Sequence, residues 1–173
     1  NDLFFAMSHG VHRGILKKGK FDKRSIFIQN LKDKNPNIKF DLYGLDNKQP
    51  IWSDDYKLAL SKSKMALNLS QGKASKYYSS DRIAQLVANG ILTFVDNQTK
   101  LKKLFTTNEV VFYNSLDDLS KKIIFYLNNK ALRNKIAKNG KKKYLKHLNS
   151  TKVANYIIIK TMNFKNKEKF LWE

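Results

Sequence analysis

The sequence contains no cysteine, two prolines and only three histidines in 173 residues. Without cysteine it has no disulfide framework and no thiolate-ligated metal or cluster. The histidines His9, His12 and His147 leave little material for a zinc site. No apolar run approaches the roughly 18 residues that a membrane-spanning helix needs. The sequence therefore predicts a chain without a disulfide, a bound metal or a membrane span.

Acidic residues are scarce: 14 Asp and Glu stand against 34 Lys and Arg, a formal charge of +20. Residues 121–173 alone carry 14 lysines and Arg133 against Glu168 and Glu173. Such a surface attracts phosphate groups, as found in nucleotides, anionic lipid head groups and nucleic acids. Three interpretations stay open: solvated lysine-rich helix faces, a membrane-facing surface, or nucleic-acid binding. The last has no support from a zinc-finger spacing, an aromatic RNA-binding motif or a helix-turn-helix.

A hydrophobic fraction of 42% supplies a core for one domain, which we place at residues 1–162 with a tail over 163–173. The sequence lacks an initiator Met and enters a strand-like run almost at once, so we expect it to be a fragment of something larger. Apolar runs alternate with amphipathic segments, and this alternation predicts an α/β fold. The expected architecture is a Rossmann-like doubly wound parallel sheet of about five strands, with extra C-terminal helices. Strands are predicted over 3–7, 38–43, 65–69, 91–95 and 110–113, and helices over 22–34, 53–61, 79–88, 99–105, 116–127, 130–147 and 150–162.

Ligands of such folds bind at the carboxyl ends of the strands, which selects four loops: 8–20, 44–53, 70–82 and 96–100. Residues 8–14 combine small residues with Arg13, and Lys17 and Lys18 follow. Backbone amides and an arginine at a helix N-terminus suit a diphosphate. The alternative is a flexible basic loop, because neither a Walker motif nor Gly-x-Gly-x-x-Gly is present.

A second basic loop leads into the helix that begins near Ser79-Ser80-Asp81 and ends at Asn89-Gly90. Lys76, Ser79, Ser80 and the first helix amides offer a second surface for phosphate. Arg82 and Gln85 are three residues apart and share a helix face. For Arg82 an ion pair with Asp81 or another acid is an equal alternative.

These segments together resemble a known family. The order and spacing of six segments resemble those of the C-terminal donor-binding domain of GT-B glycosyltransferases. The segments are Leu67-Asn68-Leu69, the run from Ser80 through Phe94, residues 101–105, 109–113 and 116–119, and Arg133 through Gly140. The resemblance is to the "glycosyl transferases group 1" branch that includes spore-maturation-protein-like enzymes. It covers nearly all of residues 3–150.

The resemblance implies a hexosyltransferase-type enzyme that moves a sugar from a nucleotide-sugar donor to an acceptor glycan or lipid, in bacterial cell-envelope glycan or glycolipid synthesis. It implies no cofactor and no obligatory metal, an N-terminal acceptor domain outside this chain, and a cytoplasmic location, peripheral on the inner membrane face. The rival interpretation is a non-catalytic basic module, either a degenerate glycosyltransferase or a nucleic-acid-associated domain.

The resemblance also assigns roles to residues, although it assigns no catalytic group. Gln85 stands where retaining members carry the second of two paired glutamates, and the first would fall near Tyr77, where no acid stands. It therefore decides neither a retaining nor an inverting mechanism. The implied diphosphate ligands are Gly10, Arg13, Gly14, Lys18, Ser79, Ser80 and Arg82; the base and ribose ligands are Tyr43, Gly44, Ile51, Trp52 and Gln85; the sugar-facing residues are His9 and Lys76.

Overall fold

A computed structural model describes residues 1–7, 22–70, 76, 78–165 and 169–173. Within these residues five parallel strands form one sheet in the order β2-β1-β3-β4-β5. The doubly wound parallel architecture predicted from the sequence is confirmed, because the crossover helices lie on both faces of this sheet. The strands are β1 (Leu3–Ala6), β2 (Phe40–Tyr43), β3 (Met65–Asn68), β4 (Leu92–Asp96) and β5 (Val111–Tyr113).

The described parts of the chain contain six α-helices, which follow the predicted pattern closely. They are α1 (Lys23–Lys34), α2 (Ser53–Ser61), α3 (Asp81–Asn89), α4 (Leu116–Asn128), α5 (Lys130–His147) and α6 (Ser150–Thr161). The predicted helix over 99–105 is wrong, because Lys100 adopts a left-handed conformation (φ 58°) that separates two short 3-10 turns. The extra C-terminal helices are confirmed as α5 and α6.

Successive side chains of each strand point to opposite faces of the sheet and pack in two separate core layers. On one face, Leu3 and Phe5 of β1 pack in the same cluster as Ile28 of α1 and Leu119 of α4. On the other face, Phe4 packs with residues of α2 and α3. Because both faces are covered, most side chains of the strands are buried, including the polar Asp41 of β2 and Thr93 of β4.

The helix α5 crosses close to the loop before β5. A Cβ on Gly140 would lie 2.3 Å from the carbonyl oxygen of Glu109, so only glycine fits at this crossing. Val87 of α3 also faces Gly140, and α5 contacts both α3 and β4. This close approach fixes α5 against the side of the sheet that carries α3.

The last helix, α6, is attached differently, because none of its 12 residues is buried. Its inner side carries Tyr156, whose ring lies 5.0 Å from Phe170 and 5.5 Å from Trp172. Phe170 is buried, so the end of the chain packs against α6. Across the described parts of the chain, none of the helices combines the length and apolarity that crossing a bilayer demands.

Candidate functional site

The strand order places a topological switch point between β1 and β3. The chain leaves β1 toward β2 on one side and leaves β3 toward β4 on the other. Connections that diverge in this way leave a crevice at the carboxyl ends of the two strands, and ligands of open α/β sheets bind there. A ligand site is therefore expected where β1 ends at Ala6 and β3 ends at Asn68.

A cleft of about 610 Å³ opens at this point and continues between α2 and α3. Its volume lies in the range of small-molecule binding pockets. Residues from four different elements and the loop before α2 surround it, so the fold rather than a single loop shapes it. The lining residues are Ala6, Met7, Arg24, Pro50, Ile51, Trp52, Ser53, Tyr56, Lys57, Ser70, Tyr78, Ser80, Asp81, Arg82, Gln85 and Asn89.

Arg82, in the first turn of α3, spans the switch point. Its Nη1 donates to the carbonyl oxygen of Leu69 at 2.7 Å, and its Nε donates to that of Ala6 at 3.3 Å. These carbonyls stand at the carboxyl ends of β1 and β3. The guanidinium also lies 5.4 Å from the centre of the Phe5 ring. The two strand ends thus hold one cation in a fixed orientation at the cleft.

The guanidinium of Arg82 forms no ion pair among the described residues, although the carboxylate of Asp22 lies near it. Among the residues that the structure describes, no acid lies within ion-pair distance of its guanidinium, so the alternative ion pair with Asp81 does not form there. Asp81 accepts a hydrogen bond from Gln85 Nε2 at 2.5 Å instead. Burial lowers the pKa of Arg82, and the nearby charge of Arg24 lowers this pKa further, whereas the carboxylate of Asp22 raises it in part. An anion in the cleft would oppose both lowering effects.

Arg24, in the first turn of α1, is a site residue that the sequence analysis missed. It is buried, and Asp22 holds it in a fork: Nη2 and Nε of Arg24 lie 2.8 Å and 3.1 Å from Asp22 Oδ2. The same carboxylate caps α1 by accepting from the Arg24 amide at 2.7 Å. The sequence feature that could have identified Arg24 is Asp22, an acid that precedes the helix and is followed two residues later by this arginine, at the edge of the sheet where ligands bind.

The N-terminus of α3 adds partial positive charge to the cleft. Ser80 precedes the helix, but its hydroxyl accepts no hydrogen bond from the first-turn amides of α3. It lies 3.5 Å from Asn68 Oδ1 instead. A helix start that lacks a side-chain cap and faces a cleft offers its amides to a bound anion.

Aromatic and apolar side chains form the opposite wall. Trp52 is 65% exposed at the mouth, and Ile51 and Tyr56 pack beneath it with the cluster under α2. Burial raises the pKa of Tyr56 to about 12, so its hydroxyl stays protonated at neutral pH. Ser53, which begins α2 directly after Trp52, has a strained backbone with φ 50°. The aromatic wall suits a flat ring, and the wall that carries Arg82 suits a negative group.

A glycine borders the cleft for a steric reason. Gly44 follows β2 with φ +79°, and a Cβ there would lie 1.8 Å from the carbonyl oxygen of Met7. Met7 in turn lines the cleft. Without a side chain at position 44, the chain leaving β2 can pass against the end of β1.

The structure brings five of the predicted site residues into one cleft and leaves others at its border or beyond it. Tyr43 packs with Ile51 and Tyr56 behind the wall, while Ser79 and Lys76 are exposed and do not line the cleft. The roles of all these residues stay predictions. The five are Ile51, Trp52, Ser80, Arg82 and Gln85; the predicted residues His9, Gly10, Arg13, Gly14 and Lys18 lie outside the described residues.

The charges around the cleft are complementary to a phosphorylated ligand. Arg82 and a helix N-terminus provide positive charge, whereas the charge of Arg24 is paired with Asp22. Asp81 is the only carboxylate among the described residues that line the cleft. In the described part of the chain, no three His, Cys, Asp or Glu side chains converge as they would around a metal ion. The arrangement can therefore hold and stabilise negative charge by arginine and backbone amides.

Comparisons with known proteins identify a family and a similar fold. The family model for glycosyl transferase-like proteins matches residues 23–158. Among solved structures, Alr3699/HepE of Anabaena in complex with UDP has a similar fold, with a TM-score of 0.68 at 10% sequence identity. The match covers 94% of this chain and 49% of that one, so this chain spans about half the length of HepE. A search of curated proteins finds no significant match.

Proposed function

The chain belongs to the glycosyl transferase-like family, and from this membership we propose that its cleft binds the nucleotide-sugar donor of a glycosyl transfer reaction. The observation that carries the proposal is Arg82, whose guanidinium spans the ends of β1 and β3 without a carboxylate partner among the described residues. A cation held in this way at a switch point fits a diphosphate. The proposed assignment is the donor-binding domain of a GT-B enzyme.

The proposed reaction breaks the bond between the anomeric carbon of the sugar and the diphosphate oxygen. An acceptor oxygen forms the new bond to that carbon, and the acceptor proton passes to a base that these residues do not identify. Negative charge builds up on the departing nucleoside diphosphate. Arg82, Arg24 and the N-terminus of α3 would stabilise this charge, which lowers the barrier without requiring a metal.

In this proposal the base of the nucleotide packs against the aromatic wall. Trp52 and Ile51 offer a flat apolar surface at the mouth, and Gln85 on α3 offers an amide to ribose hydroxyls. The solved Anabaena structure holds UDP, which makes UDP the first nucleotide to test here. The acceptor in this proposal is an envelope glycan or glycolipid at an anionic membrane, with a second domain completing the enzyme.

Titration calorimetry with UDP, GDP and ADP, set beside a short RNA, tests the proposal. We expect one of the three nucleotides to bind with one-to-one stoichiometry and to compete with its own sugar conjugate. Binding of the RNA without measurable binding of any nucleotide would refute the proposal and favour a nucleic-acid-associated module.

The two tryptophans allow a matched test of the base wall. Trp52→Ala removes the exposed ring at the mouth, and loss of an aromatic stacking contact of about 0.5–1.5 kcal/mol weakens UDP binding roughly two- to ten-fold. Trp172→Ala removes a ring that packs against Tyr156 instead, and we expect the affinity to stay unchanged. Equal effects of the two substitutions in calorimetry would contradict the placement of the base.

A further inference from the structure

Tyr56 lines the cleft beside Trp52 and has no part in the proposed binding of the base or the diphosphate. Its backbone amide donates to the Trp52 carbonyl oxygen at 3.2 Å, so the two residues lie one helical turn apart at the start of α2. Trp52 stands at the mouth of the cleft, whereas Tyr56 is half-buried beneath it. Tyr56 therefore forms the deeper part of the aromatic wall.

The ring of Tyr56 is held against the same strand that anchors Arg82. Its centre lies 5.2 Å from that of Phe4 in an edge-to-face arrangement, which fixes the orientation of the ring. Ala6 follows Phe4 on the same face of β1, about 7 Å along the strand. The Ala6 carbonyl oxygen accepts the hydrogen bond from Arg82 Nε at 3.3 Å. Tyr56 and Arg82 are therefore positioned by neighbouring points of one rigid strand.

The hydroxyl of Tyr56 is available to a ligand. Within the described parts of the chain it forms no hydrogen bond, yet its oxygen is not enclosed in the core. Burial raises the pKa of this hydroxyl to about 12, and the charge of Arg82 acts in the opposite direction. The hydroxyl is therefore neutral, carries its proton and lies within electrostatic reach of Arg82. A phenol in this state can donate one hydrogen bond to a ligand in the cleft.

The position of this hydroxyl selects one group of the nucleotide. The aromatic wall takes the base, and Arg82 takes the diphosphate from the other side of the cleft. A group that is reached from the aromatic wall and also lies close to the Arg82 charge is negatively charged and adjacent to the nucleoside. The phosphate attached to the ribose, the α-phosphate, meets both conditions. Its oxygens accept hydrogen bonds from neutral donors as well as from charged ones.

We propose that the Tyr56 hydroxyl donates a hydrogen bond to the α-phosphate of the bound nucleotide, an inference that rests on the proposed function. The bond that breaks in the transfer joins the sugar to an oxygen of the other phosphate, so the charge of the α-phosphate stays the same. The hydrogen bond is therefore equally strong before and after the sugar leaves. Tyr56 contributes to affinity for donor and product alike, whereas Arg82 acts on the charge that builds up.

Titration calorimetry of Tyr56→Phe with uridine, UMP and UDP tests the inference. Phenylalanine keeps the ring and its contact with Phe4, and it removes only the hydroxyl. We expect the affinities for UMP and UDP to fall by the same factor, about ten-fold or more, because both ligands carry the α-phosphate. The affinity for uridine should not change. If the chain prefers guanosine or adenosine nucleotides, the same series is measured with that nucleoside.

Tyr126→Phe is the matched control. Tyr126 is also half-buried, its ring lies edge-on to Phe94 at 6.3 Å, and its hydroxyl forms no hydrogen bond with the described residues. It packs in the core layer on the opposite face of the sheet from Tyr56, so the affinity for UDP should not change. Urea denaturation checks that both variants are folded. As a second readout, the ³¹P resonance of the α-phosphate of bound UDP should shift in Tyr56→Phe alone.

Three results would overturn the inference while leaving the proposed function in place. The first is a Tyr56→Phe variant that binds UDP as tightly as the unmodified chain. The second is a loss for UDP without a loss for UMP, which would put the contact on the other phosphate. The third is an equal loss for uridine, which would put it on the ribose. If the unmodified chain binds none of the nucleotides, the proposed function fails and this inference fails with it.

Discussion

Replacement of Arg82 gives the sharpest test of the cleft. Its guanidinium makes two hydrogen bonds to carbonyls of the sheet and has no carboxylate partner in the described structure, so its remaining donors are available for a ligand. A hydrogen bond to a charged group contributes about 1.5–3 kcal/mol. Arg82→Ala should therefore weaken UDP binding about 10- to 100-fold. Arg82→Lys keeps the charge but loses the planar fork, and we expect an intermediate loss of affinity.

The effect on folding must be separated from the effect on binding. Without Arg82, the carbonyls of Ala6 and Leu69 lose their donors, but water in the open cleft can replace them. We expect the free energy of unfolding to fall by about 1–2 kcal/mol in urea denaturation, which leaves the protein folded. Calorimetry on the folded variant then reports the loss of ligand contacts.

Lys57→Ala is the matched control for Arg82→Ala. Lys57 also lines the cleft, but it is exposed and bound to Asp54 at 2.9 Å. Exposed ion pairs contribute little, so we expect UDP affinity to change by less than about two-fold. If Arg82→Ala behaves like Lys57→Ala, binding UDP as the unmodified chain does, the assignment of the diphosphate to the switch point is wrong.

Two further predictions concern stability. Gly44→Ala places a Cβ against the Met7 carbonyl at a positive φ, and urea denaturation should show a loss of at least about 2 kcal/mol, whereas a loss near zero would contradict the close approach. Although burial raises the pKa of Glu109, hydrogen bonds from the Thr106 amide and Lys143 outweigh it and leave this pKa below its usual value. The contribution of Glu109 to the free energy of unfolding is therefore present above the ordinary glutamate pKa and is lost as the pH falls through the lowered pKa. Glu109→Gln should flatten the acid limb of a profile of stability against pH. An unchanged acid limb would refute this linkage.

The sheet could be predicted from the sequence because its strands are short apolar runs between turn residues. Strand boundaries agree with the structure within two residues, and Gly90 ends α3 in a left-handed conformation as the Asn-Gly pair predicted. The prediction of a helix over 99–105 was wrong because Lys100 adopts a left-handed backbone conformation, which interrupts a helix. The bounds of α2, Ser53–Ser61, agree with the helix predicted over 53–61.

The cleft was only partly predictable, because its key contacts join distant parts of the chain. Arg82 and Gln85 were placed together by helix spacing, which needs only local geometry. The hydrogen bond from Arg82 to the Ala6 carbonyl joins residues 76 apart in the sequence, and no periodic pattern in the sequence predicts such a contact. Arg24 was missed for a similar reason: its position at the cleft depends on the Asp22 fork and on the direction in which α1 returns to the sheet.

Because the five strands run in one direction, the segments that meet a ligand and the interior that holds the molecule together are built from different parts of the sequence. The stretch 45–52 between Gly44 and α2 borders the aromatic wall, yet few of its side chains are buried. Apart from Leu45, which packs in the core, this stretch can vary between homologues or in a library at little cost to folding. On the proposed function, the choice of donor can then diverge in evolution over an unchanged scaffold.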